Sequence, residues 1–293
     1  MCENLLSVTL LPFTSPPEDK DLGNVEAYFD YLERLKFYGK RVRAMRIHSK
    51  LTPELLKCIA RLQDANTYGI KPDDSTPIMP VILPGLTTLS LVLPSTDMNN
   101  DLNEARIRTF LLPTVKNLSL HCFPGAGHED LIIMLRSINS VNLRLSSLTL
   151  DKEVFKGSPQ PPPAELELEL TTLIQALPHL ESLSLPLSVV TVPVLVSTAG
   201  LPELKKLKLS HPLQMQSVRS TFLNPLGDFR STTLQRGAFF NLRSLEINTK
   251  FDYLHKLLYA HSSLASRITH LSLTSVTPLS HFTMERLFPP SLS

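Results

Sequence analysis

The sequence is poor in several residues that mark large classes of protein. It has no tryptophan, three cysteines and only 10 glycines among 293 residues. Cys2, Cys58 and Cys122 are odd in number and far apart, so they indicate no disulfide framework and favour a reducing compartment. Basic residues number 29 and acidic residues 27, which leaves a formal net charge of +2. That balance provides no polybasic region for nucleic acid or for an anionic membrane surface.

Targeting and membrane-spanning segments are also missing from the pattern. The opening residues, MCENLLSVTLLPF, are apolar but include Glu3 and lack the basic n-region of a signal peptide. The longest uncharged stretch, Ser182 to Pro202, is long enough to span a bilayer but is interrupted by Pro186 and Pro193. We therefore predict a soluble protein of the cytoplasm or nucleus, with no membrane partner and no nucleic-acid partner.

Leucine is what the sequence has in excess, with 56 residues, and 42% of the chain is hydrophobic. Such a bias calls for a search for internal repeats. A six-residue word of the form L-x-x-L-x-L occurs eight times: VRAMRI at Val42 to Ile47, LTTLSL at Leu86 to Leu91, VKNLSL at Val115 to Leu120, LSSLTL at Leu145 to Leu150, LESLSL at Leu180 to Leu185, LKKLKL at Leu204 to Leu209, LRSLEI at Leu242 to Ile247 and ITHLSL at Ile268 to Leu273.

The word has the alternation of a β-strand. Its fourth and sixth positions face one side of a strand, and its third and fifth positions face the other. The leucines then point into a core while serine, threonine, lysine and asparagine point to solvent. One such strand cannot bury its apolar side alone, whereas parallel copies stacked side by side share a continuous leucine core.

Helical patterns lie between the words, at VEAYFDYLERLKFY after Asn24, PELLKCIARL after Thr52, HEDLIIMLRSI from His128, ELELTTLIQAL after Glu165 and FDYLHKLLYAH from Phe251. The segments Gly157 to Pro163 and Gln63 to Pro80 are predicted loops. Neither loop interrupts the series of words. We therefore predict one domain over residues 1–293, with an N-terminal capping region at 1–41, repeats at 42–275 and a C-terminal tail, complete or truncated, at 276–293.

Strand words that alternate with helices resemble the leucine-rich repeat. This resemblance implies an α/β solenoid, a curved horseshoe with a parallel sheet on its concave face and mostly helices on its convex face. The runs ERLKFYGKRVRAMRI, KLTPELLKCIARL and LPGLTTLSL further resemble the repeat region of F-box/leucine-rich-repeat-like proteins of mushroom-forming fungi. The residues that match that family's segment before the first repeats are Phe37, Tyr38, Arg41, Val42, Arg43 and Met45. The likeness covers roughly Leu32 to Leu273.

The resemblance implies a protein-interaction module that recognises substrates for a cullin-type ubiquitin ligase. Members of the family usually carry an F-box of three helices before the repeats, and this chain departs from them there. LTPELLKCIARL, from Leu51 to Leu62, copies the opening of an F-box, but we interpret it as the helix after the first word. The chain is then a substrate-recognition component or a remnant that lacks the F-box, and the ligase adaptor is a partner only if an F-box exists outside this chain. The alternative is a leucine-rich-repeat scaffold or adaptor with no link to a ligase.

An enzyme is the less supported class. The sequence has no glycine-rich phosphate loop, no H-E-x-x-H, no C-x-x-C and no G-x-S-x-G elbow. His121, Cys122 and His128 are close in sequence, but the first two end a strand word and no fourth ligand is near. We therefore predict no catalytic residues, no cofactor and no metal.

What remains is the solvent side of the predicted sheet, which we call the polar face. Extended surfaces of this kind commonly bind proteins, although each residue taken singly is also what an exposed strand would carry. No large aromatic anchor is among them. The polar face consists of Arg46, Thr88, Ser90, Asn117, Ser119, Ser147, Thr149, Ser182, Ser184, Lys206, Lys208, Ser244, Glu246, His270 and Ser272.

Overall fold

A computed structural model of the chain describes residues 6–10, 41–47, 85–93, 110–122, 128–141, 144–151, 162–210, 238–248 and 267–274. The chain forms two compact units, Met1–Leu145 and Ser146–Ser293, called unit 1 and unit 2 here. The boundaries predicted at residues 41 and 275 for a single repeat domain stay a prediction.

Parallel strands dominate the described part of both units. Unit 1 contains β1 (Leu6–Leu10), β2 (Val42–Ile47), β3 (Thr88–Leu93) and β4 (Asn117–Cys122). Unit 2 contains β5 (Ser147–Leu150), β6 (Ser182–Pro186), β7 (Lys206–Ser210), β8 (Ser244–Asn248) and β9 (His270–Thr274). Within each unit every strand pairs in parallel with the next one in the chain. Each of the eight words thus contributes a strand, which confirms the predicted parallel α/β class.

The first strand was not among the predicted elements. β1 pairs in parallel with β2, with Val8 opposite Met45 and Thr9 opposite Arg46. With Leu5 before it the sequence reads LLSVTL, which fits the word with valine at position four. The apolar run near the N-terminus is therefore a strand in the same series as the words.

Burial along the strands follows the alternation of the word. Positions one, four and six of the word are enclosed: in the word that contains β7, for example, Leu204, Leu207 and Leu209 are all 2% exposed or less. The same positions are buried in the described part of the other words up to β8, and Ile268 and Leu271 in the last word are half-buried. In-register pairing places Leu207 between Leu183 and Leu245. A row of leucines therefore crosses the strands, as expected from the pattern.

A repeated main-chain contact sets the start of each strand. The carbonyl oxygen of Glu181, at position two of its word, accepts hydrogen bonds from the amides of Lys205 and Lys206 at 2.8 and 2.9 Å. The equivalent carbonyls of Thr87, Ser146, Lys205 and Arg243 likewise each accept two amides from the next word. Because one carbonyl oxygen accepts both amides, neither N–H at the start of the strand lacks a hydrogen-bond partner. They also fix the register of neighbouring strands without any side chain.

Tight turns lead into several strands. In the sequences Leu112-Pro-Thr-Val115 and Leu177-Pro-His-Leu180, the amide of the last residue donates to the carbonyl of the first, at 2.9 and 3.1 Å. Proline suits the second position of such a turn because its φ is already near the required value. Phe239 begins the turn before β8 and adopts a φ of 55°, which is rare for a bulky residue. Its side chain is 2% exposed, so burial of the ring holds it there.

Three α-helices lie within the described residues. Two were predicted: α1 (His128–Asn139) and α2 (Ala164–Gln175). Helix α2 has no side-chain cap, but Glu165 and Glu167 lie in its first turn, where negative charge favours the helix dipole. Its buried residues Leu166, Leu170, Leu173 and Ile174 form one stripe.

The third helix, α3 (Val192–Ala199), was missed because its proline was interpreted only as a break. Pro193 instead lies in the first turn, where a proline has no intrahelical hydrogen bond to lose. Gln175 of α2 donates its side-chain amide to Ser197 of α3 at 3.2 Å, which links the two helices. The helices predicted after Asn24, after Thr52 and from Phe251, and the loop from Gln63 to Pro80, lie outside the described residues.

Candidate interaction surface

Unit 2 carries ten of the fifteen polar-face residues, and the strand register sorts them into two rows. Each row takes one residue from every strand, and all ten side chains are exposed or half-buried. Neighbouring members of a row are on adjacent strands, so their backbones are about 4.8 Å apart. The first row is Ser147, Ser182, Lys206, Ser244 and His270, and the second is Thr149, Ser184, Lys208, Glu246 and Ser272.

The second row contains an ion pair between adjacent strands. Lys208 Nζ lies 2.5 Å from Glu246 Oε1, and both side chains keep more than a third of their surface exposed. An exposed pair of this kind contributes at most about 1 kcal/mol to folding. Its main effect is therefore local: it neutralises the only carboxylate and one of the two lysines on the polar face of unit 2.

Lys206 in the first row has a different environment. Its side chain is exposed and makes no ion pair or hydrogen bond with any residue that the structure describes. Ser182 and Ser244 flank it on the neighbouring strands. Lys205, the preceding residue, instead pairs with Glu181 at 2.8 Å, at the start of the strands rather than on the polar face. Of the three lysines in this word, only Lys206 thus offers an uncompensated charge.

The polar face of unit 1 is smaller and also cationic. Thr88 and Asn117 lie side by side, and the Asn117 amide donates to the Thr88 hydroxyl at 3.2 Å. Arg46 is exposed and lies in register with Ser90, which in turn lies beside Ser119. The Ser90 hydroxyl oxygen is enclosed and has no hydrogen-bond partner in the described part of the chain. Arg46 and Asn117 are therefore the members most accessible to a partner, since both side chains are exposed.

The register also shows where the polar rows stop. One pleat further along the strands, Val92 is 8% exposed and Ser210 is 3% exposed. These residues follow the parity of the polar face but are buried, so the face covers only positions three and five in those strands. His121, beside Val92, is half-buried and was not included in the predicted surface. Its place directly after position six was the signal that could have identified it.

The possible metal ligands do not assemble into a site among the described residues. No group of three or more histidine, cysteine, aspartate or glutamate side chains there could hold a metal ion. His128 begins α1, and burial lowers its pKa below the ordinary value of 6.5. In the same part of the chain, no helix combines the length and apolar character needed to cross a membrane.

No protein-family model matches the chain, and no curated protein matches its sequence.

Proposed function

We propose that this chain is a leucine-rich-repeat solenoid whose polar face binds a protein partner. By its resemblance to fungal F-box/leucine-rich-repeat-like proteins, it recognises substrates for a cullin-type ubiquitin ligase, or is a remnant of such a component. Two observations support the solenoid: the word occurs eight times, and within each unit its copies pair as parallel strands in chain order. The proposed binding of a protein partner is supported by the two in-register rows of polar side chains in unit 2.

The rows suit a protein partner because of their size and chemistry. Five strands at about 4.8 Å spacing extend the rows over roughly 19 Å, longer than a small metabolite requires. Most members are serine or threonine, whose hydroxyls both donate and accept hydrogen bonds. The leucines lie on the opposite side, so a partner can bind here without disturbing the core.

Affinity capture with the full chain as bait tests this proposal. Ser184→Trp and Ser244→Trp add bulk to the polar face, whereas Ala164→Trp adds the same bulk at the exposed start of α2. Proteins retained by the wild type and by Ala164→Trp should be lost from the two polar-face variants, as identified by mass spectrometry. Retention by all four baits, or equal loss from all three variants, would contradict binding through the polar face.

The link to a ligase is tested with the adaptor subunit. We predict that the 293-residue chain does not retain the adaptor, because we interpret Leu51 to Leu62 as a repeat helix, and the apolar stripe of such a helix would pack into the repeat core and not against an adaptor. These residues lie outside the described part of the chain. Pulldown is the measurement, with Leu56→Ala as a second bait. Adaptor binding that Leu56→Ala abolishes, with the circular dichroism spectrum unchanged, would identify Leu51 to Leu62 as an F-box.

A scaffold without a ligase is the alternative proposal, and a reconstituted ubiquitination reaction separates it from the first. Such a protein would still capture partners through Ser184 and Ser244. It would not, however, accelerate ubiquitin transfer to them in a reconstituted ligase reaction. Partners that become ubiquitinated only when the chain is present would favour the ligase role.

A further inference from the structure

We infer that the partner docks on the polar face of unit 2 through an acidic segment, with a side-chain carboxylate placed on Lys206 between Ser182 and Ser244. This inference rests on the proposed protein-binding function and specifies its chemistry. The charges of the ten polar-face residues of unit 2 support it. Lys206 and Lys208 are cationic and Glu246 is anionic, so the formal net charge of the ten residues is +1 when histidine is not counted.

The internal ion pair determines where that charge is available. Because Glu246 lies against Lys208, the charges of these two side chains offset each other, and the pair has no net attraction for a charged partner. Lys206 is exposed, and no described carboxylate contacts it. The face therefore presents one uncompensated cation near the middle of its first row, with one serine on each side.

The neighbouring hydroxyls make this cation a suitable place for a carboxylate. A lysine ammonium is a compact point charge with three donors, and it pairs with one oxygen of a carboxylate. The hydroxyls of Ser182 and Ser244, on strands about 4.8 Å to either side, are suited to donate to the second oxygen or to the adjoining main chain. Charged hydrogen bonds of this type are stronger than neutral ones.

A carboxylate fits better than a phosphate. Protein sites for phosphorylated segments are typically clusters of arginine, whose planar groups bind two phosphate oxygens at once. None of the ten polar-face residues of unit 2 is arginine, and Arg243 lies at position two of its word, outside the face. One lysine with two serines matches the single charge of an aspartate or glutamate side chain.

Fluorescence anisotropy with defined peptides tests the inference on the full chain. The probes are a labelled peptide of seven glutamates, its seven-glutamine counterpart, and a neutral peptide with one phosphoserine. The variants are Lys206→Gln and Lys205→Gln, which change the net charge equally, but only Lys206 lies on the polar face. Circular dichroism melting confirms that both variants are folded.

We expect the glutamate peptide to bind the wild type more tightly than the glutamine peptide, and to weaken as salt rises. Lys206→Gln should weaken that binding by about fivefold, the upper end for an exposed ion pair, while Lys205→Gln leaves it within about twofold. Equal weakening by the two variants would show a net-charge effect and overturn the inference. Tighter, Lys206-dependent binding of the phosphoserine peptide would also overturn it.

Failure of this inference differs from failure of the proposed function. If no glutamate peptide binds but Ser184→Trp still abolishes partner capture, the protein-binding role stands and the acidic chemistry is wrong. If capture is independent of the polar face, the proposed function fails whatever the peptides show.

Discussion

Truncating Leu207 to alanine is the most direct test of how the strand words fold. Leu207 is 2% exposed and lies in register between Leu183 and Leu245, which are 1% and 0% exposed. The side chain therefore has leucine neighbours on both adjacent strands, held at a separation that hydrogen bonding of the main chain sets. Such a site collapses little around a cavity, and Leu→Ala at buried sites costs about 2–5 kcal/mol.

The expected loss is a large fraction of the free energy of unfolding of an ordinary domain, which is about 5–15 kcal/mol. Lys206→Ala, one residue away on the opposite side of β7, should change the free energy of unfolding by less than about 0.5 kcal/mol. Urea unfolding monitored by circular dichroism measures both variants. Equal destabilisation by the two substitutions would show that the sides of the strand are assigned wrongly.

Double-mutant cycles extend the same test to the register. Leu183→Ala and Leu207→Ala affect neighbouring residues, so their effects should be non-additive by about 0.5–3 kcal/mol. Leu148→Ala and Leu245→Ala lie three strands apart, share no in-register neighbour and should add within about 0.5 kcal/mol. Strong coupling in the second pair and none in the first would refute the pairing order β5–β6–β7–β8.

Two further changes test particular sites. Burial lowers the pKa of His128, so below about pH 6.5 the unfolded chain binds more protons than the folded one, and stability should fall as the pH drops through that window. His128→Gln should flatten this part of the pH dependence of urea unfolding, and an unchanged slope would contradict it. Gly200 ends α3 with a φ of −79°, and an added Cβ would meet the Ser197 carbonyl oxygen at 3.4 Å, an ordinary contact. Gly200→Ala should therefore raise the free energy of unfolding by about 0.4–1 kcal/mol in thermal denaturation, whereas a loss would show that the backbone there needs glycine.

The strands could be predicted from sequence because their signal is local and repeated. Leu183 and Leu185 alternate with Ser182 and Ser184, and the structure buries the first pair and exposes the second in part. β1 could have been predicted in the same way, because LLSVTL from Leu5 to Leu10 fits the word with valine at position four. Helix α3 was missed because a proline inside an apolar run equally marks a helix start or a break.

The alternation of apolar and polar residues in the sequence could not predict where the polar face ends along each strand. Val92 and Ser210 continue the exposed parity of β3 and β7, yet both are buried. Their burial depends on tertiary packing, which a period of two does not record. The Lys208–Glu246 pair depends on register between residues 38 apart in the chain, which the irregular spacing of the words leaves undetermined. Which lysine is uncompensated is therefore a property of the structure alone.

The paired amides on the carbonyls of Thr87, Ser146, Glu181, Lys205 and Arg243 have a consequence for how such a protein can change over evolutionary time. Since these contacts use only main-chain atoms, substitutions at positions two, three and five do not remove them unless the new residue at position two or three is proline, which has no N–H to donate. The exposed residues of one word can therefore be substituted while the pairing of the neighbouring strands stays unchanged. A chain built in this way can acquire new binding partners through substitutions at exposed sites. Few of the sequences that arise on the way should fail to fold.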